Sequence, residues 1–326
     1  MESTDLVLMK SVTVNDTDAN GARMSFSTIT SNVLNNMFPN VTQTERTDGT
    51  TRYRKFFFRN KNSSNETAAN ARVWISSKSV GGDYFRLKAG TDSDVQSAAD
   101  DYTDWLGTGH LTTAFAADST TMEVLFDVAN GVYAGSLVRV SDSSGGEEFL
   151  TVKAAGVTWN GLTATIVTTT SARNTYPASQ NSLVAGVVDL GNLVAATSAW
   201  VETSVSGTYD ESSYPVEVNN VGSVSDTWTI TFTGATAFTC AGTNTGSLGA
   251  GSTLSDFQPV NTQVGTGDYY FVVRAAGWAG TWALGDTVTF TTTHSAAGVW
   301  IKEVVPVSTS AQTNNLVSFK LYGEGA

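Results

Sequence analysis

Apolar and polar residues alternate with a period of two along much of this chain. In Thr227–Phe232, Trp228, Ile230 and Phe232 fall on one face and three threonines on the other, and Thr287–Thr291 repeats the arrangement. Such alternation predicts antiparallel strands with one buried face. In the first third the strand-like segments are Thr51–Arg59, Ala71–Ser76 and Tyr84–Leu87, separated by Lys61–Thr67 and Val80–Asp83. A second set follows at Met122–Phe126, Ser136–Ser141, Glu148–Ala154, Val157–Trp159 and Leu162–Thr168. Ser143–Gly146 and Asn160–Gly161 sit between them as hairpin signals. A third set comprises Trp200–Val205, Thr227–Thr233, Asp268–Ala275, Thr287–Thr293, Gly298–Val305 and Leu316–Tyr322. One stretch has helical spacing: in Ser27–Phe38, residues Ile29, Val33, Leu34 and Met37 recur every three to four positions before Pro39.

These patterns predict a mainly β chain of antiparallel β-sandwich and barrel modules, with one short helix near the N-terminus. Three domains are expected. Residues 1–111 form a β docking domain ending in the polar boundary Thr91–Leu111, 112–176 a small barrel-like insertion, and 177–326 an immunoglobulin-like sandwich. A linker is expected after Pro177, and the Gly/Ser/Thr tract Ala241–Ser255 is expected to be a long mobile loop.

Composition sharpens this picture. Charged residues make up only 15% of the 326 positions, against about 25% in typical domains, so the surface is weakly solvated and suited to contact with other proteins. The net charge of −12 is uneven: residues 1–100 carry twelve Lys/Arg and eleven Asp/Glu, which leaves −13 on the remainder. An acidic body of this kind repels nucleic acid. The acidic start MESTDLVLMKSV lacks the basic and apolar regions of a signal peptide, and no apolar run is long enough for a membrane span. A soluble chain is therefore expected.

Candidate chemistry is sparse. Cys240 is the only cysteine and lies in the apolar run Trp228–Cys240, where a buried thiol is expected. His110 and His294 stand apart with no nucleophile signature near either. The acidic pairs Asp92/Asp94, Asp100/Asp101, Glu147/Glu148 and Asp210/Glu211 read as solvated turns. No cofactor motif appears, since the glycine-containing tracts lack the lysine and following helix of a phosphate loop. Asp16-Thr-Asp18-Ala-Asn20-Gly21 matches the first half of a calcium loop, but Ser27 occupies the twelfth position, where a bidentate Glu belongs. Asp16, Asp18 and Asn20 are thus a weak calcium candidate beside the plainer reading of a turn. Trp278 and Trp282, flanked by glycines, read as core or interface anchors, with stacking on a sugar as the alternative.

The one basic stretch, Arg52–Lys61, holds five cations and four aromatics without an acid. Alternation puts Tyr53, Lys55, Phe57 and Arg59 on one face and Arg52, Arg54, Phe56 and Phe58 on the other. Facing an acidic surface, such a strand is expected to pair ions with a neighbouring subunit or within the chain. Arg52, Arg54, Lys55, Phe56, Phe58, Arg59 and Lys61 are the candidate partner interface.

Several runs together resemble the virion structural proteins of contractile-tailed bacteriophages and prophages. They are Asp18-Ala-Asn-Gly-Ala-Arg23-Met24-Ser, Phe38-Pro39-Asn-Val, Glu45-Arg46, Gly49, Thr51–Phe56 with Asn60, Ala89-Gly90-Thr91-Asp92 and Val299–Pro306. The likeness is dense over the first hundred residues and the last thirty. Ala22 stands where glycine is commoner, and Glu303 where a second cation is usual. The resemblance implies a non-enzymatic particle component, assembled in the host cytoplasm and residing in the virion. Its expected partners are other virion proteins and copies of itself, with no nucleic acid, membrane or cofactor. A tail or baseplate position is expected; a receptor- or glycan-binding module and a capsid decoration or neck protein are the alternatives.

Overall fold

A computed structural model describes residues 1–264, 267–313 and 315–325. The chain folds as a two-layered base into which two further β units are inserted. The base begins with β1 (Leu6–Thr13), β2 (Gly21–Thr28), α1 (Gln43–Asp48), β3 (Thr50–Asn60), β4 (Ala68–Ser77), β5 (Tyr84–Ala89) and α2 (Gln96–Asp100). The chain then enters a barrel through β6 (Thr108–Leu111), β7 (Thr121–Phe126), β8 (Leu137–Ser141), β9 (Glu147–Asn160), β10 (Thr163–Thr168) and β11 (Ser179–Leu193). The second inserted unit contains β12 (Ala196–Thr203), β13 (Ser206–Tyr209), β14 (Asp226–Phe232), β15 (Ala237–Gly242), β16 (Gly246–Ser252), β17 (Trp278–Thr281) and β18 (Thr287–Thr293). The chain returns to the base with β19 (Ala296–Val305) and β20 (Ser318–Gly325).

One layer of the base is the sheet β2-β1-β3-β19-β5; the other is the β20-β4-β11 end of a longer sheet. Phe56, Val73, Ile75, Leu87, Val188, Val299 and Ile301 fill the space between them. The expected division at 177 is therefore corrected. β19 pairs with β3 over its full length, from Ala296↔Arg59 to Val305↔Thr50, and β20 pairs with β4, so these two late strands complete the first unit.

The barrel closes because β11 pairs with β6 and also with β8, giving the ring β11-β6-β7-β10-β9-β8. The expected strands of this region all appear, with Glu148–Ala154 and Val157–Trp159 merged into the single strand β9. β9 pairs with β8 over Glu147–Thr151, and its pairing with β10 is broken by a bulge at Ala155 (φ 55°) and Gly156, between Val152↔Thr168 and Val157↔Ile166. A methyl group at Gly156 would lie 2.5 Å from the Val167 carbonyl oxygen, so this bend requires glycine. The expected linker after Pro177 is instead β11, whose second half joins the base sheet by pairing with β4.

In the second inserted unit the sheet β12-β18-β14-β15-β16 is covered on one face by aromatic side chains from β13, β17 and the segments between strands. The covering layer is a two-stranded ribbon with isolated bridges, such as Glu217↔Val272 and Phe257↔Val273, rather than a second full sheet. Asp268–Ala275 accordingly contributes bridges and not a strand. Ala241–Ser255, expected to be a loop, holds the edge strand β16. The turn before β16 is fixed by the Asp226 carboxylate, which accepts hydrogen bonds from the backbone N–H groups of Asn244 and Thr245.

Helix positions also differ from expectation. Ser27–Phe38 is not helical: Asn32 and Asn35 have φ near 60°, and Val33 and Leu34 are exposed while Met37 and Phe38 pack on the base core. The helix forms a few residues later as α1, where Thr42 and Glu45 make a reciprocal capping box. The polar boundary Thr91–Leu111 contains α2 and β6.

Candidate functional site

β3 is the middle strand of its sheet, with β1 on one side and β19 on the other. Both of its faces are covered. Phe56 and Phe58 face the second layer of the base and Arg52 and Arg54 lie against Phe38 of the 37–45 segment, whereas Tyr53, Lys55, Phe57 and Arg59 contact the 18–22 and 90–105 segments and the inserted unit. Arg52, Arg54, Lys55 and Arg59 are each 5% exposed or less, and Phe56 and Phe58 are fully buried. The expected partner interface is thereby corrected: six of its seven residues are inside the chain, and only Lys61 is exposed.

Buried cations need countercharges, and the chain supplies them internally. Arg52 donates from Nε to Glu303 Oε2 at 2.7 Å, with Nη2 at 2.6 Å from the same oxygen. Arg54 Nη1 lies 2.6 Å from Asp16 Oδ1, and its Nε donates to the Met37 carbonyl. Lys55 Nζ is 2.6 Å from Asp94 Oδ1 and donates to the Ala22 carbonyl. Asp94 Oδ2 in turn accepts from the Tyr102 hydroxyl at 2.5 Å and from Trp300 Nε1 at 2.7 Å. Burial alone would raise the Asp94 carboxyl, but these donors hold it below its ordinary value. Burial lowers the Lys55 ammonium against the pull of Asp94. Beside them, Asp92 lies 2.6 Å from His294 Nε2.

Arg59 serves a different joint. Its Nη2 donates to the carbonyls of Asn220 and Val221, in the second inserted unit, and its guanidinium sits 5.1 Å from the Phe26 ring centre. Burial lowers its pKa to about 10. Asn60 donates to the Leu193 carbonyl, Ala195 N–H to Asn220 Oδ1, and the Ser295 hydroxyl to the carbonyls of Asn60 and Asn220. The two short connectors at 194–195 and 294–295 are thus locked by buried hydrogen bonds.

Gly21, Tyr53, Lys55, Gly90 and Asp94 meet around Trp300. A methyl group at Gly21 would lie 2.5 Å from the Trp300 ring, and one at Gly90 would lie 2.9 Å from it. Asn20, fully buried, donates to the Tyr53 carbonyl and to Gln96 Oε1 and accepts from Asn15 N–H. The calcium candidate is corrected by the same geometry, because Asn20 is engaged by protein groups and Asp16 is paired with Arg54. Among the described residues no group of three or more His, Cys, Asp or Glu side chains is arranged to hold a metal ion.

The remaining candidates resolve individually. Cys240 is buried, and burial pushes its thiol up to about 12. Trp282 is buried and stacks on Phe232 at 4.2 Å between ring centres, while Trp278 packs edge-on against it. The anchor reading holds for both, and Trp282 offers no sugar platform. Glu147 pairs with Arg139, so this acid belongs to a local ion pair rather than a free turn.

Sequence reasoning missed a cleft of about 570 Å³ where base and barrel meet. Arg86, Tyr102, Asp104, Trp105 and Lys302 line it from the base, and Asn130, Tyr133 and Trp159 from the barrel. The signal was faint, because these residues are scattered over two hundred positions and only β19, returning late in the chain, brings Lys302 to Arg86. No helix among the described residues is long and apolar enough to cross a membrane. No family model matches the chain, and neither a curated protein nor a solved structure matches it.

Proposed function

We propose that this chain is a non-enzymatic structural component of a bacteriophage particle, at the tail or baseplate, linking neighbouring subunits. The supporting observation is the end-on placement of the second inserted unit. Its connectors enter beside the Ala196↔Thr293 pair, and the loops at the opposite end, beyond Thr203↔Thr287, carry Val205 (97% exposed) and Leu284 (79% exposed). Leu254, 78% exposed, follows the Ala237↔Ser252 pair at that same end. A rigid arm with apolar residues at its far tip is suited to burying that tip against another protein. The resemblance of the residues around Trp300 to contractile-tail virion proteins supports the same reading, with those residues acting as the frame of the base.

The reading is tested by labelling intact particles with an antibody to this chain, and by following incorporation of a Val205→Asp/Leu284→Asp variant. Tail or baseplate labelling, with the variant folded but left out of particles, is expected. A chain that stays in the supernatant when particles are pelleted, or a variant incorporated normally, contradicts the proposal.

A further inference from the structure

The geometry points to the cleft between base and barrel as a binding site for a saccharide carrying one carboxylate, of the uronic or sialic acid class. Its volume of about 570 Å³ lies within the range of small-ligand sites. Its charge differs from that of the neighbouring interior. Arg52, Arg54 and Lys55 each hold a carboxylate, whereas neither Arg86 nor Lys302 is in ion-pair contact with one among the described residues. Lys302 is instead placed over the rings of Tyr53 and Trp105, at 5.3 and 5.5 Å from their centres. Arg86 donates from Nη2 to the carbonyls of Trp105 and Asn130, which ties the two walls together, and its Nε is buried without a hydrogen-bond partner. Burial lowers the pKa of both cations, so an arriving anion would meet charges already stripped of part of their water.

The rest of the lining selects the class of anion. Two lining cations face one lining acid, Asp104 at the exposed rim, and Asp100 also acts on Lys302, so the site carries at most one net positive charge, which matches a monoanion and disfavours a phosphate ester of higher charge. Trp159 and Tyr133 offer partly exposed aromatic faces on which the apolar side of a sugar ring can lie. Asp104 and Asn130 add polar groups for hydroxyls. The inference is independent of the particle reading, because it concerns what the isolated chain binds.

Calorimetric titration of the full chain tests it directly. The probes are oligosaccharides ending in glucuronic acid or N-acetylneuraminic acid, their carboxyl-reduced counterparts, a glutamate-rich peptide and inorganic phosphate. Binding of at least one acidic saccharide is expected, with carboxyl reduction and Lys302→Gln each weakening it by about tenfold or more. Asp104→Asn keeps a residue tolerant of positive φ, removes the rim acid, and is expected to tighten binding about threefold. Because Asp104 is exposed, that variant reads the charge effect without depending on the fold. The proposal is overturned if neither acidic saccharide binds, if binding survives carboxyl reduction, if Asp104→Asn leaves it unchanged, or if peptide or phosphate binds equally well.

Discussion

Strands β3 and β14 are each the middle strand of a five-stranded antiparallel sheet, yet they are stabilised in opposite ways. In β14 the pattern is one-sided: Trp228, Ile230 and Phe232 are fully buried, and Thr227 on the other face is exposed. In β3 nine consecutive residues from Arg52 to Asn60 are buried, four of them cations. The aromatic face of β14 gains stability by leaving water and asks nothing specific of its surroundings. The cations of β3 must each find a partner, and those partners come from residues 16, 94, 220, 221 and 303. One strand rests on area, the other on a set of distant, specific contacts, and the second kind of strand ties remote parts of the chain to one frame.

The contrast is sharpened most by disturbing the β3 pairs. Asp94→Asn keeps an oxygen for Trp300 and Tyr102 but removes the carboxylate in contact with the buried Lys55, leaving it only the Asp92 charge beyond ion-pair distance. It is expected to cost about 3 kcal/mol in denaturant unfolding, with most of the loss recovered in the Lys55→Met/Asp94→Asn double variant. No recovery in the double variant would show that the pair is not the source of the cost.

Glu303 gives the next effect. Burial raises its carboxyl to about 7, with Arg52 pulling it down and Asp83 and Glu45 adding to the rise. Because the folded state holds this proton more tightly than the unfolded chain, the contribution is complete below about pH 4.5 and is lost as pH rises through 7. Denaturant midpoints between pH 5 and 8 should fall with rising pH in the native chain and fall less in Glu303→Gln.

Smaller effects are expected in β14. Ile230→Val should cost about 1 kcal/mol through lost packing, whereas Thr227→Ala, on the open face, should stay within about 0.5 kcal/mol. Equal costs would mean that the second face of β14 is covered as that of β3 is. Ala22, at φ 62°, should tolerate glycine with a gain of up to about 1 kcal/mol, read as a higher melting temperature.

The same contrast explains what the sequence made legible. Alternation located β14 and β18 within a residue, and Asn160–Gly161 marked the β9–β10 turn, because one-sided burial and turn chemistry leave local traces. β11 was hidden by being buried on both faces: Leu183–Val188 is nearly continuous in apolar and small residues, and the polar segment around Pro177 before it suggested a linker. The Arg52–Lys61 stretch looked like a surface because its acids lie up to 251 residues away. That Tyr53 and Lys55 meet Gly21, Gly90 and Trp300 depends on β19 pairing with β3, which no local spacing encodes. The Thr42-x-x-Glu45 capping box is a local trace of α1 that the reading of Ser27–Phe38 as the helix passed over.

The most direct test of this account is amide hydrogen exchange across Tyr53–Phe58 in the isolated chain and again in assembled particles. If β3 is an internal frame, these amides exchange only through global unfolding in both states. Rapid exchange in the isolated chain, with protection gained only on assembly, would instead make β3 the interface that its charges suggest.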